Sequence, residues 1–272
     1  MPGTSDVTKE EAIELFHGPF GKVMGELAAS YAAPVFWKER NKEGQIRLRN
    51  GTMFFLDAGE GPFAVTARHV YKEYCVAKND FPETTCQLGS LPFDPEERLI
   101  SLIEPDWHGP DIATFRIEPK EVGRLGKTVL TGSQKAWPPP PPQQGKGVFF
   151  AGFPGQERVQ TAADEINFGI FHGILTATSV SDRTISCQID LDYLVETPWG
   201  NSAPVDYDTG GISGAPLLAL VYQDAVYSWR LAGVIYTAQK DLGLMKAACA
   251  DFILPGGGVR PYDWTQRIPP RE

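Results

Sequence analysis

The chain has 272 residues, 42% hydrophobic and 22% charged, with 28 Gly, 23 Pro and a formal net charge of −9. These totals suit one large β domain or two smaller units, and 15 Phe, 9 Tyr and 6 Trp argue against disorder. The acidic balance argues against nucleic acid as a partner, and no apolar run is long enough to span a bilayer.

Met1 to Val7 lacks the basic and apolar regions of a secretory signal. Thr8-Lys9-Glu10-Glu11 has the form of a capping box, so a short helix is expected over Ala12 to Phe16. Gly18-Pro19 should break or bend it, and Val23 to Ala33 should resume it. From Pro34 onward the rhythm turns to period two. Strands are predicted at Pro34 to Trp37, Gln45 to Arg49, Thr52 to Asp57 and Phe63 to Ala67, with Asn50-Gly51 as a tight hairpin between the second and third. Further strands are expected at Thr85 to Leu88, Leu99 to Ile103 and Ile112 to Ile117.

Trp137 is followed by five prolines, Pro138 to Pro142, which must adopt polyproline II; a stiff surface linker and a motif for a proline-reading partner both fit. A second strand series follows at Val148 to Ala151, Gly169 to Thr178, Thr184 to Leu191, Leu217 to Tyr222 and Arg230 to Tyr236. The predicted fold is therefore all-β. Residues 1–33 form a helical extension and 34–272 a two-unit domain. That domain divides into a first unit at about 34–130, a connector at about 131–146 and a second unit at about 147–255, before a surface tail. Cys75, Cys86, Cys187 and Cys249 are too few for a disulfide framework and lack zinc-site spacing, so reduced thiols in a cytoplasmic protein are expected; a Cys75–Cys86 bridge is the alternative.

Gly210-Gly211-Ile212-Ser213-Gly214-Ala215-Pro216 is a turn that could aim backbone N–H groups at one point, as an acyl-transfer enzyme requires, although glycine-rich turns also serve plain hairpins. His69 stands where a strand ends, as a base facing a cleft would. Asp111 opens an apolar strand, half-buried and in need of a donor such as an imidazole N–H. His17, His108 and His172 have no comparable context.

Thr66-Ala67-Arg68-His69-Val70, Asp111-Ile112-Ala113 and Gly211-Ile212-Ser213-Gly214-Ala215-Pro216 resemble the TAxH, DIA and GxSGxP words of the chymotrypsin/trypsin-like serine proteases, including their bacterial HtrA-like branch. The spacings are 111 − 69 = 42 and 213 − 111 = 102 residues. The resemblance implies two packed, six-stranded antiparallel barrels and peptide-bond hydrolysis with Ser213 as nucleophile, His69 as base and Asp111 as its orienter. It implies the N–H groups of Gly211 and Ser213 as oxyanion hole, a protein or peptide substrate, and no metal or cofactor.

Ile212 replaces the aspartate that pairs with a cut N-terminus in trypsin-type zymogens, so that activation is not expected. The 39 residues after Gly233 (272 − 233) are too few for the PDZ domain of many HtrA-like proteins. The pocket implied by the family falls on Tyr207, Asp208, Tyr236, Thr237 and Ala238. Tyr207 filling the floor would favour small apolar side chains, and Asp208 would instead attract Lys or Arg. A catalytically silent binding module and an effector protease switched on by a partner protein are the competing expectations.

Overall fold

A computed structural model describes residues 18–40, 44–104, 109–131, 137–162, 165–189, 208–223, 226–239 and 243–262. The protein is mostly β, as composition and turn density predict. The first unit contains β1 (Ala32–Arg40), β2 (Ile46–Asp57), β3 (Pro62–Thr66), β4 (Cys86–Leu88), β5 (Leu91–Phe93), β6 (Leu99–Leu102), β7 (Ala113–Arg116) and β8 (Leu130–Thr131). The second contains β9 (Gly147–Gly152), β10 (Arg158–Gln160), β11 (Ile166–Phe168), β12 (Phe171–Val180), β13 (Thr184–Gln188), β14 (Pro216–Gln223), β15 (Val226–Gln239) and β16 (Leu244–Cys249).

Six of the latter close into a barrel in the order β12-β13-β16-β15-β14-β9, while β10 and β11 form a separate ribbon. The first unit departs from the expected second barrel. Its strands follow β5-β4-β1-β2-β3-β7-β6, with β8 parallel to β2, and the edge strands do not meet among the described residues. A helix does the covering instead. α2 (Arg68–Asp80; α1 is Pro19–Ser30) lays Val70, Tyr74 and Ala77 on Val35, Trp37, Phe55 and Phe115. The i, i+4, i+7 spacing of those three residues is the helical signal in the sequence.

Side-chain alternation along β2 explains why six of its residues in a row are buried. Met53 and Phe55 join the cluster under α2. Phe54 and Leu56 face the other way, into a cluster shared with Phe149, Phe150, Ile212 and Ile235 of the barrel unit. Each fully buried Phe contributes roughly 2–3 kcal/mol of hydrophobic stabilisation. The stretch of β2 from Gly51 to Leu56 is thus a middle layer, buried on both faces.

The predicted hairpin at Asn50-Gly51 does not form. β2 runs straight through it, pairing Phe36 with Asn50 and Val35 with Gly51. Glycine is needed there because α2 passes close: a Cβ on Gly51 would lie 2.5 Å from Cγ1 of Val70. Gly18 is extended and Pro19 opens α1 at a position where the missing N–H costs nothing, while the helix expected before it, over Ala12 to Phe16, lies outside the described residues. The helix expected to run to Ala33 stops at Ser30, because Ala32 and Ala33 pair with Phe54 and Met53 in β1. The capping box at Thr8 to Glu11 lies outside the described residues. Met24 and Ala28 of α1 are buried in the barrel unit's cluster, and Gly25 lies under the ring of His172 in β12.

Along the proline run, Pro139 and Pro142 are buried and Pro138, Pro140 and Pro141 exposed, the three-residue period of polyproline II. Trp137 anchors the run by donating from Nε1 to Ile253 O at 2.7 Å. All four cysteines are free. No helix among the described residues is long and apolar enough to cross a membrane.

Gly51→Ala should lower stability by about 1–3 kcal/mol, as overpacking does. Gly147→Ala in β9, where an added Cβ meets nothing within 4 Å, should change it far less. Denaturant midpoints of the two variants check the difference.

Candidate active site

β3 ends at Thr66, Ala67 is extended, and α2 begins at Arg68, so His69 sits in a helical first turn. N–H groups there have no acceptor within the helix. His69 gives its own to Asp111 Oδ1 at 2.9 Å, and its ring Nδ1 pairs with Asp111 Oδ2 at 2.8 Å. One carboxylate therefore holds both the backbone and the ring, and as an acceptor it places the imidazole proton on Nδ1. It also occupies the positive end of the α2 dipole. Arg68 steadies the approach to Asp111 by donating from Nη1 to Ile103 O at 2.8 Å and more weakly to Pro110 O at 3.4 Å. Ile112, fully buried, anchors the other side.

The pair is electrostatically coupled. Burial works to lower the His69 pKa, but the hydrogen bond and charge of Asp111, helped by Glu73, outweigh it and leave the imidazole above its ordinary value. Burial works to raise Asp111, but the bonds from His69 outweigh it and hold the carboxyl below the usual range.

The serine loop alternates in its use of N–H groups. Gly210 N–H donates to Asp208 Oδ1 at 2.8 Å, Ile212 to Thr209 O at 3.2 Å and Gly214 to Ile235 O at 2.7 Å. Those of Gly211 and Ser213 find no acceptor among the described residues. The backbone needs glycine at two points. Gly211 has φ +104° and a Cβ there would stand 2.5 Å from Asn50 Nδ2; Gly214 has φ +93° and a Cβ would run into Thr52 O and Thr66 Oγ1. Ile212 is 1% exposed, so the loop is pinned by an apolar anchor where trypsin-type zymogens have a carboxylate.

His69, Ser213, Asp208, Tyr236, Thr237 and Ala238 line one cleft of about 250 Å³. Asp111 reaches it through His69. Thr209, Gly210, Ile212 and Ile235 complete the lining and were not among the pocket candidates; Gly210 and Ile212 belong to the glycine word, Thr209 precedes it, and Ile235 arrives because β15 accepts Gly214 N–H. Tyr207, His17 and His108 lie outside the described residues. Ser213 Oγ rests 3.5 Å from Tyr236 O and makes no hydrogen bond to His69 among the described residues, and His69 Nε2 has no partner among them. No cluster of three or more His, Cys, Asp or Glu suited to a metal ion occurs among the described residues.

No family model matches the chain, and no curated protein matches it either. One solved structure, from work on how aromatic interactions drive the coupled folding and binding of the intrinsically disordered Sesbania mosaic virus VPg protein, aligns with 81% of this chain and 92% of that chain, at 14% identity and a TM-score of 0.41.

His69 should titrate above the ordinary 6.5, and Asp111→Asn should bring it down, as read from imidazole NMR shifts against pH. Because the native value of His69 is raised, the stability its protonation lends is full below its unfolded value and is lost as pH climbs through the native one, while the contribution of Asp111, whose value is lowered, is lost as pH falls through its native value.

Proposed function

We propose that the chain is a serine endopeptidase of the chymotrypsin/trypsin-like kind. One observation carries the reading: Ser213 and His69 line the same cleft, with Asp111 bonded to the imidazole nitrogen opposite Nε2. In the proposed reaction Ser213 Oγ leaves Tyr236 O by rotating about its side-chain bond and attacks the scissile carbonyl. His69 Nε2 takes its proton and later returns it to the leaving amine, while Asp111 keeps the tautomer correct. The unused N–H groups of Gly211 and Ser213 supply donors for the oxyanion, each worth on the order of 10²–10³ in rate. The buried Ile212 leaves no carboxylate for a new N-terminus to pair with, so no zymogen-type cut is required. Four free thiols fit a reducing, cytoplasmic setting.

A small, uncharged side chain is the proposed preference at the cleavage site. Asp208 is exposed and spends Oδ1 on Gly210 N–H, so its carboxylate sits in water at the rim. A second reading, an effector gated by a partner protein, draws on the resting contact of Ser213 Oγ with Tyr236 O in place of His69. Full turnover by the isolated chain would rule that gate out.

A fluorophosphonate probe should label the native chain on Ser213 and leave Ser213→Ala unlabelled; equal labelling of both overturns the assignment. Asp111→Asn should cost about 10⁴-fold in kcat, the loss that a wrong tautomer brings in a Ser-His-Asp triad. In a peptide-library profile, Asp208→Asn should keep the native preference. A collapse of Lys or Arg cleavage in that variant would instead assign Asp208 as the recognition group.

A further inference from the structure

Thr52 makes more bonds to the serine loop than any motif residue does, and nothing in the proposed chemistry uses it. It sits in β2, where two dry layers meet, and is 0% exposed. Its N–H donates to Ser213 O at 2.9 Å. Its hydroxyl donates to Gly211 O at 2.9 Å and accepts from Phe153 N–H at 3.0 Å, so both its donor and an acceptor site are spent. Its carbonyl accepts from Thr66 Oγ1 at 2.6 Å, which ties it to the strand leading to His69.

Two carbonyls bonded to Thr52 belong to Gly211 and Ser213, the residues whose own N–H groups are unused. Those two carbonyls share their peptide planes with the N–H groups of Ile212 and Gly214, so Thr52 fixes the peptide that follows each unused N–H, while the unused groups themselves are turned by the carbonyls one residue earlier. In a trans peptide the N–H points opposite to the carbonyl of the preceding residue. The Gly210 carbonyl accepts from Gly155 N–H at 2.6 Å, which turns the Gly211 N–H to the other side. The Ile212 carbonyl accepts from Ala215 N–H at 2.9 Å, which does the same for Ser213. Gly155 is itself held through Phe153: Thr52 Oγ1 takes Phe153 N–H, and Asn50 Nδ2 donates to Phe153 O at 2.6 Å. One hydroxyl thus fixes the loop twice, directly at Gly211 O and indirectly through the turn that grips Gly210 O.

We infer that Thr52 is a positioning residue that orients the N–H groups of Gly211 and Ser213 toward a shared oxyanion; the inference rests on the proposed hydrolytic reading of the same cleft. It acts through the loop and touches no reacting atom. The hydroxyl, not the methyl, carries the role, because only the hydroxyl can donate to Gly211 O while accepting from Phe153 N–H.

The test uses the full chain with Thr52→Val, Thr52→Ser and Asn50→Ala, each checked for folding by circular dichroism. On a cleaved peptide, Thr52→Val should lose at least about 100-fold in kcat, the scale of one oxyanion donor, with KM within about threefold. Thr52→Ser should recover to within about threefold of native. Asn50→Ala should lower kcat by about tenfold or more, and it decides the matter if Thr52→Val fails to fold. A folded Thr52→Val with native kcat, a Thr52→Ser no better than Thr52→Val, or an unaffected Asn50→Ala in place of an unfolded Thr52→Val overturns the inference. A native chain that neither cleaves nor labels sinks the hydrolytic reading instead. In that case the amide NMR resonances of Gly211 and Ser213 judge Thr52 alone: they should move in Thr52→Val and stay in Thr52→Ser, and resonances that stay in both overturn the positioning role.

Discussion

The cleft depends on a strand that is dry on both faces. β2 is covered by α2 on one side and by the closed barrel on the other, so polar groups near its middle must find partners inside the protein. Thr52 and Asn50 meet that demand with backbone groups of two segments, the turn at Phe153 to Gly155 and the loop at Gly211 to Ser213. Burial therefore converts ordinary hydrogen bonds into positional constraints. A buried donor or acceptor left without its partner costs about 1–3 kcal/mol, so the loop has little freedom to drift.

The same economy governs the imidazole. Asp111 is half-buried, which by itself favours its neutral form, yet it accepts both the His69 backbone N–H and the ring Nδ1 at the positive end of α2. Those bonds win, the carboxyl is held ionised, and the imidazole rises with it. Helix and carboxylate thus arrive as one unit: the first turn of α2 supplies the ring, the backbone N–H that Asp111 accepts and the dipole. Arg68, the residue beside His69, holds the chain that leads into Asp111.

Much of the strand pattern was legible because alternation and turn residues act locally. The core of β7, β9, β14 and β15 could be read from runs such as Leu217 to Tyr222, with the ends of β7, β9 and β14 displaced by one residue and only β15 much longer than expected, from Val226 to Gln239. α2 was missed because its apolar stripe is short, three buried residues among many charged ones. β16 was missed because Leu-Met-Lys-Ala-Ala-Cys carries no β-branched residue. Asn50-Gly51 misled for a different reason: the dipeptide that favours a hairpin was needed for a long-range contact, glycine against Val70 and asparagine against Phe153. Local propensity loses where a packed layer decides.

By itself the sequence determined the β character, the glycines at 211 and 214 and three chemically suggestive residues, since each follows from composition or from backbone conformations that only certain side chains tolerate. Only the tertiary structure decided that the edge strands of the first unit do not meet among the described residues and that a helix covers its sheet, that His69 lies in the first turn of that helix, and that Thr52 holds the loop from 159 residues away. Those outcomes depend on which buried faces meet across the chain. Spacing along it carries no trace of that.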